Sequence, residues 1–297
     1  MKLALFSVSY AGFWGQDQLS LEEFIPRAKP LGYDGVEIMG KRPHAFPADM
    51  SSDRIRRIRK LLKNSRLDLL CMAAYTNFTA GAESREVPLL DMQVEYVGQL
   101  ARITRELGGN LVRIFTGYEV PGPSFGEQWN QCIRGIRACC DAAAKYDVRI
   151  GVQNHHDIGV ETDGLMELIG EADRKNVFPM FDAWSPFLRG EDLVKAAQKM
   201  GALAIYTTVA DYVTIPLYRY NPSLVNYEKV GPAMVKAVPM GDGVINYRDF
   251  LKAMRDAGYK GPVCYEMCSP LRGGGSLQNL DDYAKQFAAY MRKIGMV

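Results

Sequence analysis

The stretch VEYVGQLARITRELGGNLVRIF, residues 94–115, decides the fold. Through Leu107 its apolar residues (Val94, Val97, Leu100, Ile103, Leu107) recur three and four apart, the period of one buried helix face. Gly108 then falls where a left-handed cap ends a helix. Residues 110–115, NLVRIF, follow as a short apolar run of strand length. This helix–glycine–strand unit repeats along the chain. Strand-like runs occupy 2–8, 34–39, 67–75, 110–115, 148–155, 177–184, 203–211 and 262–268. Helical periods fill 21–28, 55–62, 94–107, 132–144, 165–169, 193–200, 250–257 and 283–294. Gly32 and Gly258 repeat the cap before a strand, and Ser20 with Glu23 has capping-box spacing at a helix start. Eight strand–helix units in strict alternation predict a parallel sheet covered by helices, closed as a (β/α)8 TIM barrel.

Length agrees, because 297 residues fit one such barrel of roughly 250 residues plus an insertion. A single domain over 1–297 is therefore expected. Its one irregularity is the segment 211–246 after the seventh strand, too long for an ordinary connection and rich in Tyr and Pro. It is expected to be a lid or the contact of a homodimer.

Composition narrows the function classes. Lys and Arg number 36 against 34 Asp and Glu, so no global field favours nucleic acid or membrane. The basic run 54–60 carries apolar residues at helical spacing and reads as a wet helix face. No run reaches the roughly 20 apolar residues of a membrane span. The start MKLALFSVSY lacks the longer apolar run and cleavage site of a secretory signal. The six cysteines show no paired CxxC zinc spacing and read as buried thiols in a reducing compartment. A cytoplasmic enzyme is expected.

In a barrel, catalysis sits at the C-terminal ends of the strands. That rule selects Glu37 on the second strand, Arg113 on the fourth, and Gln153, His155 and His156 on the fifth. It selects Asp182 and Ser185 on the sixth, Thr208 and Asp211 on the seventh, and Glu266 and Arg272 on or beyond the eighth. Strand alternation puts Gln153 and His155 on one face and His156 on the other. Trp14 and Trp184 lie beyond strand ends, where aromatic walls pack sugar rings or join the core. Glu37 is a site acid or a buried partner for Arg113. His44 is a site residue or a surface histidine. Arg272, before a glycine run, clamps a phosphate or carboxylate, or pairs with Asp211 or another acid. The glycine run lacks P-loop spacing, so nucleotide binding is not expected.

The residues Gly35-Val-Glu-Ile38, Gly151-Val-Gln-Asn-His155, Phe181-Asp182, Gly241-Asp-Gly-Val-Ile245 and Gly258-Tyr-Lys-Gly-Pro-Val-Cys-Tyr-Glu266 carry a resemblance. Over nearly its whole length the chain resembles the sugar phosphate isomerase/epimerase superfamily, the xylose isomerase-like TIM barrels. The resemblance implies one divalent metal held by Glu, Asp, His and Glu from the fifth to eighth strands. Asp182 and Glu266 match, whereas Gln153 stands at the first position and Thr208 at the third.

That pattern implies proton abstraction next to a carbonyl of a small carbohydrate, with a metal stabilising the enediolate. Gln153 cannot act as a base, though its oxygen can ligate a hard cation or accept a sugar hydroxyl. Glu266 is then the expected base and His155 its proton-transfer partner. Gln153, Asp182 and Glu266, with one histidine, are the expected ligands for Mn, Mg or Zn. Glu37, Arg113, His156, Trp184, Ser185, Thr208 and Arg272 are expected to contact substrate. Two alternatives stay open: a keto-sugar dehydratase of the inosose-dehydratase-like branch, and a non-catalytic sugar-binding barrel that has lost its metal. DNA repair of the endonuclease IV kind needs more than the three histidines present.

Overall fold

The computed structural model describes residues 1–81 and 86–297. The strands form as the alternation predicts. They are β1 (Leu3–Phe6), β2 (Gly35–Met39), β3 (Asp68–Ala73), β4 (Leu111–Ile114), β5 (Arg149–Gln153), β6 (Val177–Asp182) and β7 (Tyr206–Val209), joined later in the chain by β12 (Val263–Tyr265). All pair in parallel, and β12 closes onto β1 to complete a barrel of eight strands.

The covering helices are α1 (Leu21–Ala28), α2 (Ser52–Ser65), α3 (Leu89–Leu107), α4 (Phe125–Ala144), α5 (Thr162–Ala172), the short α6 (Trp184–Leu188), α7 (Leu193–Met200), α8 (Tyr247–Asp256) and α9 (Leu277–Lys293). Their starts are specified locally. Ser20 accepts from the Glu23 amide while Glu23 reaches back to the Ser20 amide, the reciprocal box expected from the sequence. Ser124 and Glu127 build a second such box at α4. Gly108 ends α3 at φ +95°, a backbone region that disfavours side chains with a Cβ.

Two apolar layers follow from the strand period of two. Outward residues such as Val36, Ile38, Val112, Ile114, Val152 and Phe181 join the helices in the main core. Inward residues fill the barrel: Ala4, Cys71, Leu111, Met180, Tyr206 and Cys264 pack together below the mouth. All six cysteines are free, and only Cys268 is not fully buried.

The long insertion is ordered. Its base is an antiparallel ladder of β8 (Asp211–Ile215) with β11 (Met234–Val238), and its tip is a hairpin of β9 (Tyr218–Asn221) with β10 (Asn226–Lys229). Asp211 anchors the return of the chain, accepting from the Gly241 and Gly243 amides at 2.8 and 3.0 Å. A Cβ on Gly243 would lie 1.8 Å from the Asp211 Oδ1 atom, so a glycine there is a packing requirement. Among the described residues, no helix is long and apolar enough to cross a membrane.

Candidate active site

A cavity of about 390 Å³ opens at the C-terminal mouth of the barrel. The inward period of each strand delivers its polar floor. Arg113 comes from β4, Gln153 ends β5, and Glu266 follows β12, while Asp182 at the end of β6 lies behind the lining residue His155.

The floor is a buried cation with few partners. Arg113 Nη1 donates to Gln153 Oε1 at 2.8 Å, while its Nε and Nη2 have no hydrogen-bond partner among the described residues. Glu37 is fully buried, with its Oε1 3.8 Å from Arg113 Nε, and among the described residues neither oxygen has a partner at good hydrogen-bond geometry, with Cys264 and Tyr206 its polar neighbours. Burial pushes the Glu37 carboxyl above its ordinary range, and the Arg113 charge offsets only part of that. Thr208 Oγ1, also buried, has no partner.

The rim carries a hydrogen-bonded cluster. His155 Nδ1 pairs with Asp182 Oδ2 at 2.7 Å, and Ser185 Oγ lies 3.3 Å from the same nitrogen. The other Asp182 oxygen accepts from the Trp184 amide at 3.0 Å. A carboxylate on Nδ1 fixes the proton there, leaving Nε2 without a partner from Asp182. Burial works to lower the His155 pKa, but the hydrogen bond and charge of Asp182 outweigh it and raise it. Glu266 is pushed up to about 7, first by burial and then by the Asp182 charge, against the opposing pull of His155 and Arg113.

The fifth strand ends at Gln153, and the chain then turns. Alternation therefore fails beyond it, and both His155 and His156 line the cavity. His156 lies between aromatic rings, 4.2 Å from the Phe115 centroid and 4.1 Å from that of Tyr118. Burial, then the neighbouring His155 and Arg113, lower its pKa to about 3. Trp14 and Trp184 both reach the cavity as walls.

Other sequence candidates lie elsewhere. His44 is buried away from the cavity, bonded to Ser7 Oγ at 3.0 Å and to the Leu19 carbonyl at 3.1 Å. Arg272 does not reach the mouth: it is half exposed, 3.4 Å from Asp242, and Asp211 is spent on backbone amides instead. The insertion meets the site at its base. Only its base contributes walls, through Tyr212 and Val235, while the hairpin tip is exposed. Sequence reasoning missed Lys41, Tyr75 and Phe115, which also line the cavity. Continuing the alternation from Glu37 through Met39 and from Arg113 would have reached Lys41 and Phe115.

The implied metal set does not fit the donors as they stand. The Gln153 oxygen is taken by a guanidinium N–H, so a cation already occupies that oxygen. His155 and Asp182 are bonded to one another, and Thr208 offers a neutral hydroxyl where an imidazole is implied. Among the described residues, no group of three or more His, Cys, Asp and Glu side chains is arranged to hold a metal ion.

A closed barrel with this polar mouth defines a class of small-molecule enzyme folds. The sequence pattern of the xylose isomerase-like TIM barrel family matches residues 25–294, and the chain belongs to that family. It is 21% identical over 263 residues to fructoselysine 3-epimerase of Escherichia coli O157:H7, covering 85% of this chain and 87% of that protein. Inosose dehydratase of Geobacillus thermodenitrificans is 25% identical over 168 residues, 56% of this chain and 55% of its own. Among solved structures, a D-psicose 3-epimerase determined in the presence of D-fructose superposes with a TM-score of 0.76 at 16% identity, with both chains fully covered.

Proposed function

We propose that the protein is an enzyme that moves a proton next to the carbonyl of a small carbohydrate, with Glu266 as the carbon base. The observation that carries this is the convergence of Glu266 and the His155–Asp182 pair on one monosaccharide-sized cavity above the Arg113 guanidinium. Glu266 takes the proton from carbon, and the electron pair moves onto the carbonyl oxygen. His155 exchanges a proton at oxygen. The unpartnered N–H groups of Arg113 supply preorganised positive charge for the developing oxyanion. A carboxyl poised near neutrality suits a base that must also return the proton. Similarity to sugar epimerases and an inosose dehydratase supports the substrate class. The Arg113 guanidinium beside the Gln153 oxygen and His155 beside Asp182 put the site's positive charge where the implied metal would sit.

Gln153 also favours a second reading. Inversion at carbon needs proton donors on both faces of the sugar, whereas isomerisation or loss of water needs one strong base and one acid. With an amide at the fifth strand, a keto-sugar dehydratase is the rival within the same chemistry.

The test is solvent exchange. Hexuloses and keto-inositols are incubated with the protein in D2O and followed by NMR. Exchange at the carbon beside the carbonyl is expected, and it should vanish in Glu266→Gln. A product one water lighter selects the dehydratase reading. Binding without exchange for every ketose would remove the enzyme reading and leave a sugar-binding barrel.

A further inference from the structure

We infer that the substrate carries an acidic group, a carboxylate or a phosphate, and that Lys41 is its seat. This deepens the carbohydrate reading and rests on it. Lys41 follows β2 on the inward period set by Glu37 and Met39. Its backbone is pinned: the Gly40 amide donates to the Ala73 carbonyl at 2.9 Å, the Gly40 carbonyl accepts from Tyr96 Oη at 3.0 Å, and the Lys41 carbonyl accepts from the His44 amide at 3.0 Å. The side chain runs between two rings, with Nζ 3.8 Å from the Tyr75 centroid and 4.8 Å from that of Phe13. That aromatic sleeve orients the ammonium at the cavity wall.

The ammonium has no carboxylate, hydroxyl or carbonyl partner among the described residues. The other cationic groups of the mouth meet polar partners of this chain. Arg113 faces Gln153 and Glu37, and His155 faces Asp182. Around Lys41 the nearest strong field is another cation, Arg113. Burial and that charge together lower its pKa, and no acid raises it.

The cavity is therefore polarised. In the ring of eight strands, β2 lies four strands from β6, so Lys41 and Asp182 come from opposite walls. Acid–base chemistry occupies one side and an unmatched cation the other. A neutral sugar would leave a half-buried ammonium with only its two ring contacts to offset desolvation. A carboxylate or phosphate at the far end of the substrate supplies the missing partner through a charge-assisted hydrogen bond. The class is thus a keto-sugar acid or a ketose phosphate, seated by its anion at Lys41 with its carbonyl toward Glu266.

Calorimetric titration of the full chain at fixed ionic strength tests this with three probes: D-fructose, D-fructuronate and D-fructose 6-phosphate. One of the anionic ketoses is expected to bind about tenfold or more tighter than D-fructose, and which one does so separates carboxylate from phosphate. Lys41→Met keeps the stem between its rings and should shrink that gap to roughly threefold or less. Lys41→Gln repeats the test should the methionine variant fold poorly. Equal binding of D-fructose, or an anion preference that survives both variants, overturns the inference while leaving the carbohydrate reading intact. Failure of all three probes to bind removes both.

Discussion

Glu37 and Glu266 are the same residue on the inner face of the same barrel, two strands apart in the ring, and they do different things. Glu37 sits within β2, fully buried, beneath a guanidinium 3.8 Å away. Glu266 sits just past the end of β12, at the cavity, beside the His155–Asp182 pair. Burial raises the pKa of both. The difference is access: Glu266 lines the cavity and Glu37 does not. Under the proposed function the same desolvation then tunes a base in one case and stiffens a floor in the other, and depth along the strand rather than residue type separates the two.

The largest expected effect breaks that contrast at Glu266. Glu266→Gln keeps shape and removes the base, so carbon-proton exchange should fall by about 10²–10⁴-fold. Circular dichroism should be unchanged. Glu37→Gln, by contrast, should leave exchange within roughly tenfold of wild type. A collapse of exchange in the Glu37 variant, with its fold intact, would give the chemistry to the wrong glutamate.

The next effect is on stability and belongs to Arg113. Removing one partner of a buried ion pair leaves the other charge unmatched, typically at a cost of about 3–5 kcal/mol. Arg113→Met strands Glu37 and frees the Gln153 oxygen in the same stroke. Urea unfolding should show a large loss. Pairing it with Glu37→Leu should recover much of that loss, since the charge left behind is then gone. No recovery in the double variant would mean that the two do not act as a pair.

How far this contrast could be read in advance depends on the distance between the residues involved. Helix periods, glycine stops and strand runs are local, and the eight alternating units and the Ser20 box came out as their spacing implies. The strand-end rule reached Arg113, Gln153, Asp182 and Glu266 because those residues lie on or just past a strand. It faltered where the chain leaves the strand. The turn after Gln153 brought His156 inward against alternation, whereas Lys41 and Phe115 keep the inward period past their strand ends and could have been read by extending it. Arg272 and His44 found partners through folding that no spacing records, Asp242 for one and Ser7 with Leu19 for the other. The Gln153–Arg113 bond is of this kind too. An amide at that position reads as a weakened ligand in sequence, and in the fold it is the acceptor for a buried cation.

A smaller effect sharpens the rim itself. Asp182→Asn removes the charge that raises the His155 pKa, so the imidazole should titrate at lower pH. NMR titration of the His155 ring protons measures this directly. The proton-exchange rate should fall by roughly 10–100-fold, less than for Glu266, because the base remains while its partner loses orientation. An unmoved His155 titration would show that Asp182 does not set its charge.

The smallest effect is a pH dependence of stability, and its sign follows from the same two groups. Glu266 has a folded pKa of about 7 against an ordinary 4.5, so the fold holds a proton that the unfolded chain releases. Stability from this group is highest below about pH 4.5, declines as pH rises toward 7, and levels off above. His155 is also raised in the fold, so its contribution is present below its ordinary 6.5 and is lost as pH rises through the folded value. Both slopes run the same way, and the wild type should be less stable at pH 8 than at pH 6. Glu266→Gln removes the larger part of that slope and should gain on the order of 1–2 kcal/mol over wild type at pH 8, less than the full shift implies because cavity water screens the charge. At pH 4.5 the two should unfold together. A glutamine variant that is no more stable than wild type at pH 8 would place Glu266 in water rather than in the desolvated mouth, and the contrast with Glu37 would lose its physical basis.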